Sequence, residues 1–221
     1  MQASSDRFAF DRLSSQGQTY SFEAPAKSEA LVIDSNVQYN GIVADTETLG
    51  IEAYSADLDA VSALVLDEYL IPKLRDEYGV YTPMHSFSGD KGAYLITYSD
   101  PNIKETFEVY SKIPEFLSEY EADQETLNGY ILSSYSSFAA PEGELSGAVS
   151  AVFSRLRNEP EDLRVRRMEE LKSLDSEKLA SYASLYAKMV ENGRLFTVGG
   201  KEAINKEADL YDSVLDPLKL R

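Results

Sequence analysis

Arg75 and Tyr81 are the residues of this chain whose types and spacing could do chemistry together. They stand six positions apart in Leu74-Arg-Asp-Glu-Tyr-Gly-Val-Tyr81, where a helical pattern gives way to an extended one. A cation fixed at a helix end and a phenol donor on the strand beyond it could converge on a peptide carbonyl or a developing oxyanion. Spacing alone leaves a plainer role open, in which Arg75 satisfies the last helix carbonyls and Tyr81 packs. The rest of the reactive inventory is thin. There is no cysteine, which excludes disulfides, thiolate zinc sites, iron–sulfur clusters and cysteine nucleophiles. His85 is the single histidine, so a His-rich metal site cannot be built and a Ser-His-Asp triad would need His85 as its base. In Tyr81-Thr-Pro-Met-His85 it reads as a structural residue.

Three weaker strings resolve the same way. Gly143-Glu-Leu-Ser-Gly147 has the wrong spacing for a nucleophile elbow. Gly199-Gly200-Lys201 lacks the upstream glycine of a phosphate loop, since Leu195 holds that place, and Glu202 stands where a hydroxyl residue is needed. Asp57 and Asp59 are explained by the first turn of a helix, where its dipole favours acids, without a metal. Arg155, Arg157, Arg164, Arg166 and Arg167 form the main basic cluster. They are expected to pair with Glu159, Glu161, Asp162, Glu169 and Glu170 on neighbouring turns. Docking of another, acidic domain is the alternative.

The elements that must position Arg75 and Tyr81 follow from periodicity. Residues 1–28 are polar with scattered aromatics and read as a lead-in or interdomain segment; 29–221 read as one domain. Strands are expected at 29–34 and 37–44. A long helix is expected over 56–78, capped by Ser55 and kinked by Pro72. Its stripes are Leu58, Val61, Val65, Tyr69 and Leu66, Leu70, Leu74, and Gly79 takes the left-handed position that ends it. Val80 to Phe87 and Ala93 to Tyr98 should form a β-hairpin around the turn 88–92. Helices follow: one from Pro101 with Ile103, Phe107, Tyr110 and Leu117 inward, then one over 123–138 with Leu127, Tyr130, Ile131 and Phe138 inward. After the break at 140–143, a face of Leu145, Val149, Val152, Phe153 and Leu156 is expected, then helices over 161–171 and 176–190. A last strand, 194–198, and a tail helix over 201–215 close the chain. The fold class is α+β: a mainly antiparallel sheet with helices packed on one face.

Composition sets the class of partner. The chain has 221 residues, with 21 Lys and Arg against 38 Asp and Glu, for a formal net charge of -17. A surface for nucleic-acid phosphates would be basic, so nucleic acid is not expected as a partner. No stretch is apolar enough to span a membrane. The opening MQASSDRF lacks the basic and apolar regions of a secretory leader, and a cytoplasmic location is expected if the source is bacterial.

From Leu58 to Leu174 the chain resembles the C-terminal region of the pitrilysin/insulinase family of inverted zinc metallopeptidases, most closely its presequence-protease branch. The resemblance rests on the string from Leu74 to Tyr81 at the end of a long helix. It continues in Tyr98-Ser-Asp-Pro-Asn102 with Ile103-Lys-Glu-Thr-Phe-Glu-Val-Tyr110 after the second hairpin strand, in the Ala139-Ala-Pro141 break, and in Val198-Gly-Gly-Lys-Glu-Ala-Ile204. It implies one of four similar α+β domains that form a closed peptide-degrading chamber, with the zinc motif in the first. This chain lacks that motif, so no metal or other cofactor is expected in it, and zinc is expected in the parent enzyme. Carried over, Arg75 and Tyr81 would bind the substrate backbone and stabilise the transition state. Tyr78 and Thr82 stand where glycine is usual. The implied partners are the remaining domains of the parent polypeptide and a peptide substrate. An acidic chamber wall would attract basic peptides; an acidic exterior that serves solubility is the alternative. Removed from its partners, such a domain is expected to expose an apolar face and to self-associate. Two other readings stand beside this one: a structural or interaction domain of the same fold with no peptide role, and an unrelated α+β binding module.

Overall fold

Strict alternation of inward and outward side chains builds the sheet. We describe a computed structural model covering residues 27–50, 54–88, 92–139, 143–157, 159, 160 and 162–217. Six strands, β1 (Ser28–Ile33), β2 (Tyr39–Ala44), β3 (Thr82–Ser88), β4 (Gly92–Tyr98), β5 (Arg194–Gly200) and β6 (Ser213–Leu215), form one sheet in the order β3-β4-β2-β5-β1-β6. The β3/β4 hairpin is antiparallel, as are β4/β2 and β2/β5, while β1 runs parallel to β5 and to β6. The inward face carries Ala30 and Val32, Asn40, Ile42 and Ala44, His85 and Phe87, Ala93, Leu95 and Thr97, and Thr197, all buried. The outward face leaves Met84, Tyr94 and Tyr98 exposed. Residues 1–26 of the lead-in and 89–91 of the hairpin turn lie outside the described residues, and Ser28 is the first residue of β1.

The long helix begins as α2 (Asp57–Leu64), preceded by the short α1 (Thr46–Leu49), and continues as a π-helix over Val65–Glu77. Pro72 lies inside that continuation and does not end it. Proline has no N–H to give, and its ring crowds the carbonyl four residues back; the wider winding accommodates both. Leu58, Val61, Leu64, Val65, Leu70 and Leu74 are each at most 2% exposed. The change of winding turns Leu66 only partly inward. Ser55 does not cap the helix with its side chain; Ala56 occupies the cap position and Ser55 accepts only through its backbone.

The expected helix from Pro101 starts later, as α3 (Lys104–Ser111), followed by α4 (Ile113–Glu119). Its inward residues Ile103, Phe107, Tyr110 and Leu117 are buried as expected. The Asp100 carboxylate accepts from the Asn102 N–H at 2.8 Å, and this side-chain turn holds 100–102 out of the helix. The helices α5 (Gln124–Ala139), α6 (Glu144–Leu156), α7 (Leu163–Lys172), α8 (Ser176–Ser181) and α9 (Ala183–Asn192) follow. In α5, Leu127 is fully buried and Tyr130 and Ile131 pack partly against the core. Phe138, residues 140–142 and Glu161 lie outside what is described.

The face expected on α6 is present and exposed: Leu145, Val149, Val152, Phe153 and Leu156 are all open to solvent. One expectation is corrected here. The tail is not one helix. It is α10 (Lys201–Lys206), a 3-10 turn over Ala208–Leu210, and then β6. Asp212 ends the helical run by accepting from the backbone N–H groups of Lys27 and Ser28, at 3.2 and 3.0 Å, and from Ser28 Oγ at 2.9 Å. That places the next residues beside β1.

Candidate functional site: the Arg75–Tyr81 turn

The carbonyls at the end of the π-helix bear on the plainer role left open for Arg75, that of satisfying them. Gly79 adopts φ +74, the left-handed conformation that glycine reaches without a Cβ penalty. With the chain so reversed, the Gly79 N–H donates to the Arg75 carbonyl at 3.2 Å and the Val80 N–H to the Leu74 carbonyl at 2.9 Å. The main chain therefore caps its own helix. The Arg75 guanidinium is not needed for that task; it is exposed and makes no ion pair among the described residues. Tyr78, which stands where glycine is usual, sits in the right-handed region at φ -105, ψ 0, which any residue adopts.

Tyr81 stands on the other side of the turn and is 66% exposed. Its N–H donates to the Ser99 carbonyl at 3.2 Å. Its ring lies 6.2 Å from that of Tyr98, which meets Tyr39 edge-on at 5.1 Å. Three tyrosines thus form a ridge on the outward face of the sheet. Asn102 fastens the turn from outside, donating from Nδ2 to the Tyr78 carbonyl at 2.9 Å. The structure therefore brings Arg75 and Tyr81 to the two ends of one closed turn. A guanidinium and a phenol so placed can donate hydrogen bonds to a carbonyl oxygen.

Asp100 supports this turn, and the sequence analysis did not single it out. It is fully buried. Its Oδ2 accepts from Asn40 Nδ2 (2.9 Å), Thr97 Oγ1 (2.7 Å) and Thr106 Oγ1 (2.6 Å), and Oδ1 from the Asn102 N–H. The signal was present in Asp100-Pro101-Asn102, which also spells a side-chain turn.

His85 is a satisfied core histidine, as expected. Nδ1 lies 2.7 Å from the Tyr94 carbonyl and so carries the proton, while Nε2 accepts from the Tyr186 hydroxyl. Burial lowers its pKa to about 4, against a small opposing effect of the Tyr94 bond. The neutral ring is thus the folded form, and the unfolded chain binds the extra proton between pH 6.5 and about 4. Stability is therefore full above pH 6.5 and falls on acidification through that window by roughly 3 kcal/mol in all. His85→Gln keeps both hydrogen bonds without the titration. Urea melts of that variant should lose this part of the pH slope, and an unchanged slope would refute the assignment. Asp45 and Asp212, held below the usual carboxylate range mainly by hydrogen bonds to Thr48 and Ser28, act below about pH 3.8. Asp59, raised by burial, acts in the opposite sense.

The remaining candidates are structural. Asp57 is buried and paired with Lys178, and no group of three or more metal-ligating side chains occurs among the described residues. The basic cluster forms the expected local pairs in part, Arg157 with Glu159 at 3.6 Å and Arg166 with Asp162 at 3.3 Å. Arg164 instead donates to the Ala139 carbonyl. No helix among the described residues is long and apolar enough to cross a membrane.

Comparison with known proteins agrees with the geometry. Residues 28–198 match the family model described as the PreP C-terminal domain. The chain is 30% identical over 201 residues to Protein HypA of Clostridium perfringens, covering 90% of this chain and 20% of that protein. It is 24% identical over 191 residues to presequence protease 1, chloroplastic/mitochondrial, of Arabidopsis thaliana, covering 85% of this chain and 17% of that one. The chain thus spans a fifth or less of the length of these relatives. The crystal structure of pitrilysin shares the fold, with a TM-score of 0.58 at 14% identity, over 86% of this chain and 22% of that one. With the family match running from β1 into β5, the chain belongs to the family of PreP C-terminal domains, and it shares its fold with pitrilysin.

Proposed function

We propose that this domain is a non-catalytic, substrate-binding part of a zinc-dependent metalloendopeptidase, and that Arg75 and Tyr81 hold the backbone of a peptide cleaved at a site elsewhere in the parent polypeptide. The observation that carries the reading is the self-capped helix end, which leaves the Arg75 guanidinium exposed at one end of the turn and the Tyr81 phenol exposed at the other. Zinc does not fit this chain: it has no cysteine and a single histidine, which is buried and engaged on both ring nitrogens. The role assigned here is donation alone. The guanidinium and the phenolic O–H hydrogen-bond to the scissile carbonyl oxygen or a neighbouring one, and those bonds strengthen as the oxygen gains negative charge.

The test uses the parent protein and an unstructured peptide substrate. Arg75→Ala and Tyr81→Phe should each lower kcat by about 100-fold, the usual cost of removing one oxyanion donor, with a smaller change in KM. Arg75→Lys should fall between, since it keeps the charge and loses the fork. Wild-type kcat in both Arg75→Ala and Tyr81→Phe would reduce the domain to a structural or interaction part of the assembly. Hydrolysis by the 221-residue chain alone would overturn the reading.

A further inference from the structure

Helix α6 has no core of its own. None of its thirteen residues is buried, and it makes no extensive contact with any other element. Yet it is amphipathic: Leu145, Val149, Val152 and Leu156 recur at the spacing of one helix face, with Ala148 and Phe153 beside them. Leu145 is 80% exposed and Leu156 72%. An isolated helix of this length is marginal in water, so a surface that covers the stripe would be its main source of stability.

The stripe reads the same in both directions. About a two-fold axis between Ser150 and Ala151, an antiparallel second copy sets Leu145 against Leu156, Val149 against Val152, and the small Ala148 against the large Phe153. The ends also match: Glu144 in the first turn of one copy meets Arg157 at the C-terminal cap of the other, and the two helix dipoles oppose. Arg157 has neighbours in its own copy, Glu159 at 3.6 Å and the Phe153 ring at 5.8 Å, and its side chain is still 66% exposed to the partner's Glu144. A face that is self-complementary in size, apolarity and charge fits a second copy of itself. We propose that α6 is a dimerisation element, pairing antiparallel with α6 of another copy of this chain.

One helix pair is small for a protein interface, so the dimer should dissociate at about micromolar concentration or above. Sedimentation equilibrium of the whole chain, in enough salt to screen its net charge, should show the mass rising from one chain towards two with concentration. Val152→Glu should abolish the rise. Because the helix buries nothing within its own fold, the melting temperature of the monomer should not change. Glu144→Arg or Arg157→Glu should each weaken association about 5-fold, and the two together should restore it. The chain has no cysteine, so Leu145→Cys and Leu156→Cys report geometry directly. A mixture of the two should form a disulfide, and neither should do so alone. A monomer at every concentration, or cross-linking of Leu145→Cys with itself, would overturn the proposal.

Discussion

Asp100→Ala is expected to cost the domain about 4–6 kcal/mol, enough to unfold many proteins of this size. The carboxylate is fully buried with no cation beside it among the described residues, and its charge is balanced by four donors. Removing it leaves the Asn40 amide, the Thr97 and Thr106 hydroxyls and the Asn102 N–H to find other partners in a dry site. Each stranded donor costs roughly 1–3 kcal/mol, with some relief by rearrangement. The damage spreads because Asn40 also donates to the Asn102 carbonyl at 2.8 Å and accepts from Thr197 Oγ1 at 2.8 Å, joining β2, β5 and the loop before α3. Asp100→Asn keeps one oxygen acceptor and should cost less. Urea denaturation of both variants measures the difference, and a loss below about 1 kcal/mol for alanine would refute this account of the network. Because Asn102 also holds the Tyr78 carbonyl, Asp100→Asn should loosen the Arg75–Tyr81 turn even where the domain stays folded.

The second large effect concerns the ion pair between Lys178 and Asp57. Asp57 is fully buried at the start of α2. Its Oδ2 lies 2.6 Å from Lys178 Nζ and accepts from the Tyr182 hydroxyl at 2.6 Å, while Oδ1 has no partner among the described residues. The Lys178 side chain is 34% exposed. The pair is therefore asymmetric. Lys178→Ala strands a buried carboxylate and should cost about 3–5 kcal/mol. Asp57→Asn leaves only a half-solvated ammonium, which can turn to water, and should cost about 1 kcal/mol. Combining the two should recover most of the loss from Lys178→Ala, so a double-mutant cycle should give a large coupling energy. Additive losses would show that the charge pair does not hold α2 to α8. Burial and the Asp57 bond also push the Tyr182 phenol well above its ordinary pKa, so the hydroxyl stays protonated as the donor this arrangement needs.

Local patterns made much of the fold legible. The alternation in 93–98, the stripes of the long helix and Gly79 at its end were readable because each depends on near neighbours. What escaped was decided at long range or by competing uses of the same letters. Asp100-Pro101-Asn102 serves both as a helix start and as a side-chain turn, and the choice falls to Asn40, Thr97 and Thr106. The tail pattern in 201–215 is helical until Asp212 finds Ser28, 184 residues away. An amphipathic stripe says that one face is apolar but not what covers it, which is why the exposure of α6 was not legible in its pattern. For the site, the Arg75–Tyr81 spacing was visible; that the guanidinium is released from capping depends on how the π-helix closes.

The place of β5 bears on how the chain is made. It fills the slot between β1 and β2, yet it follows both of them, and β3 and β4, in the chain. Until Arg194–Gly200 are made, β1 has no partner and β2 presents an unpaired edge, so the sheet cannot close over the helices. The nascent domain must therefore wait with these sticky borders open. Its abundant negative charge keeps such unfinished chains apart during that interval.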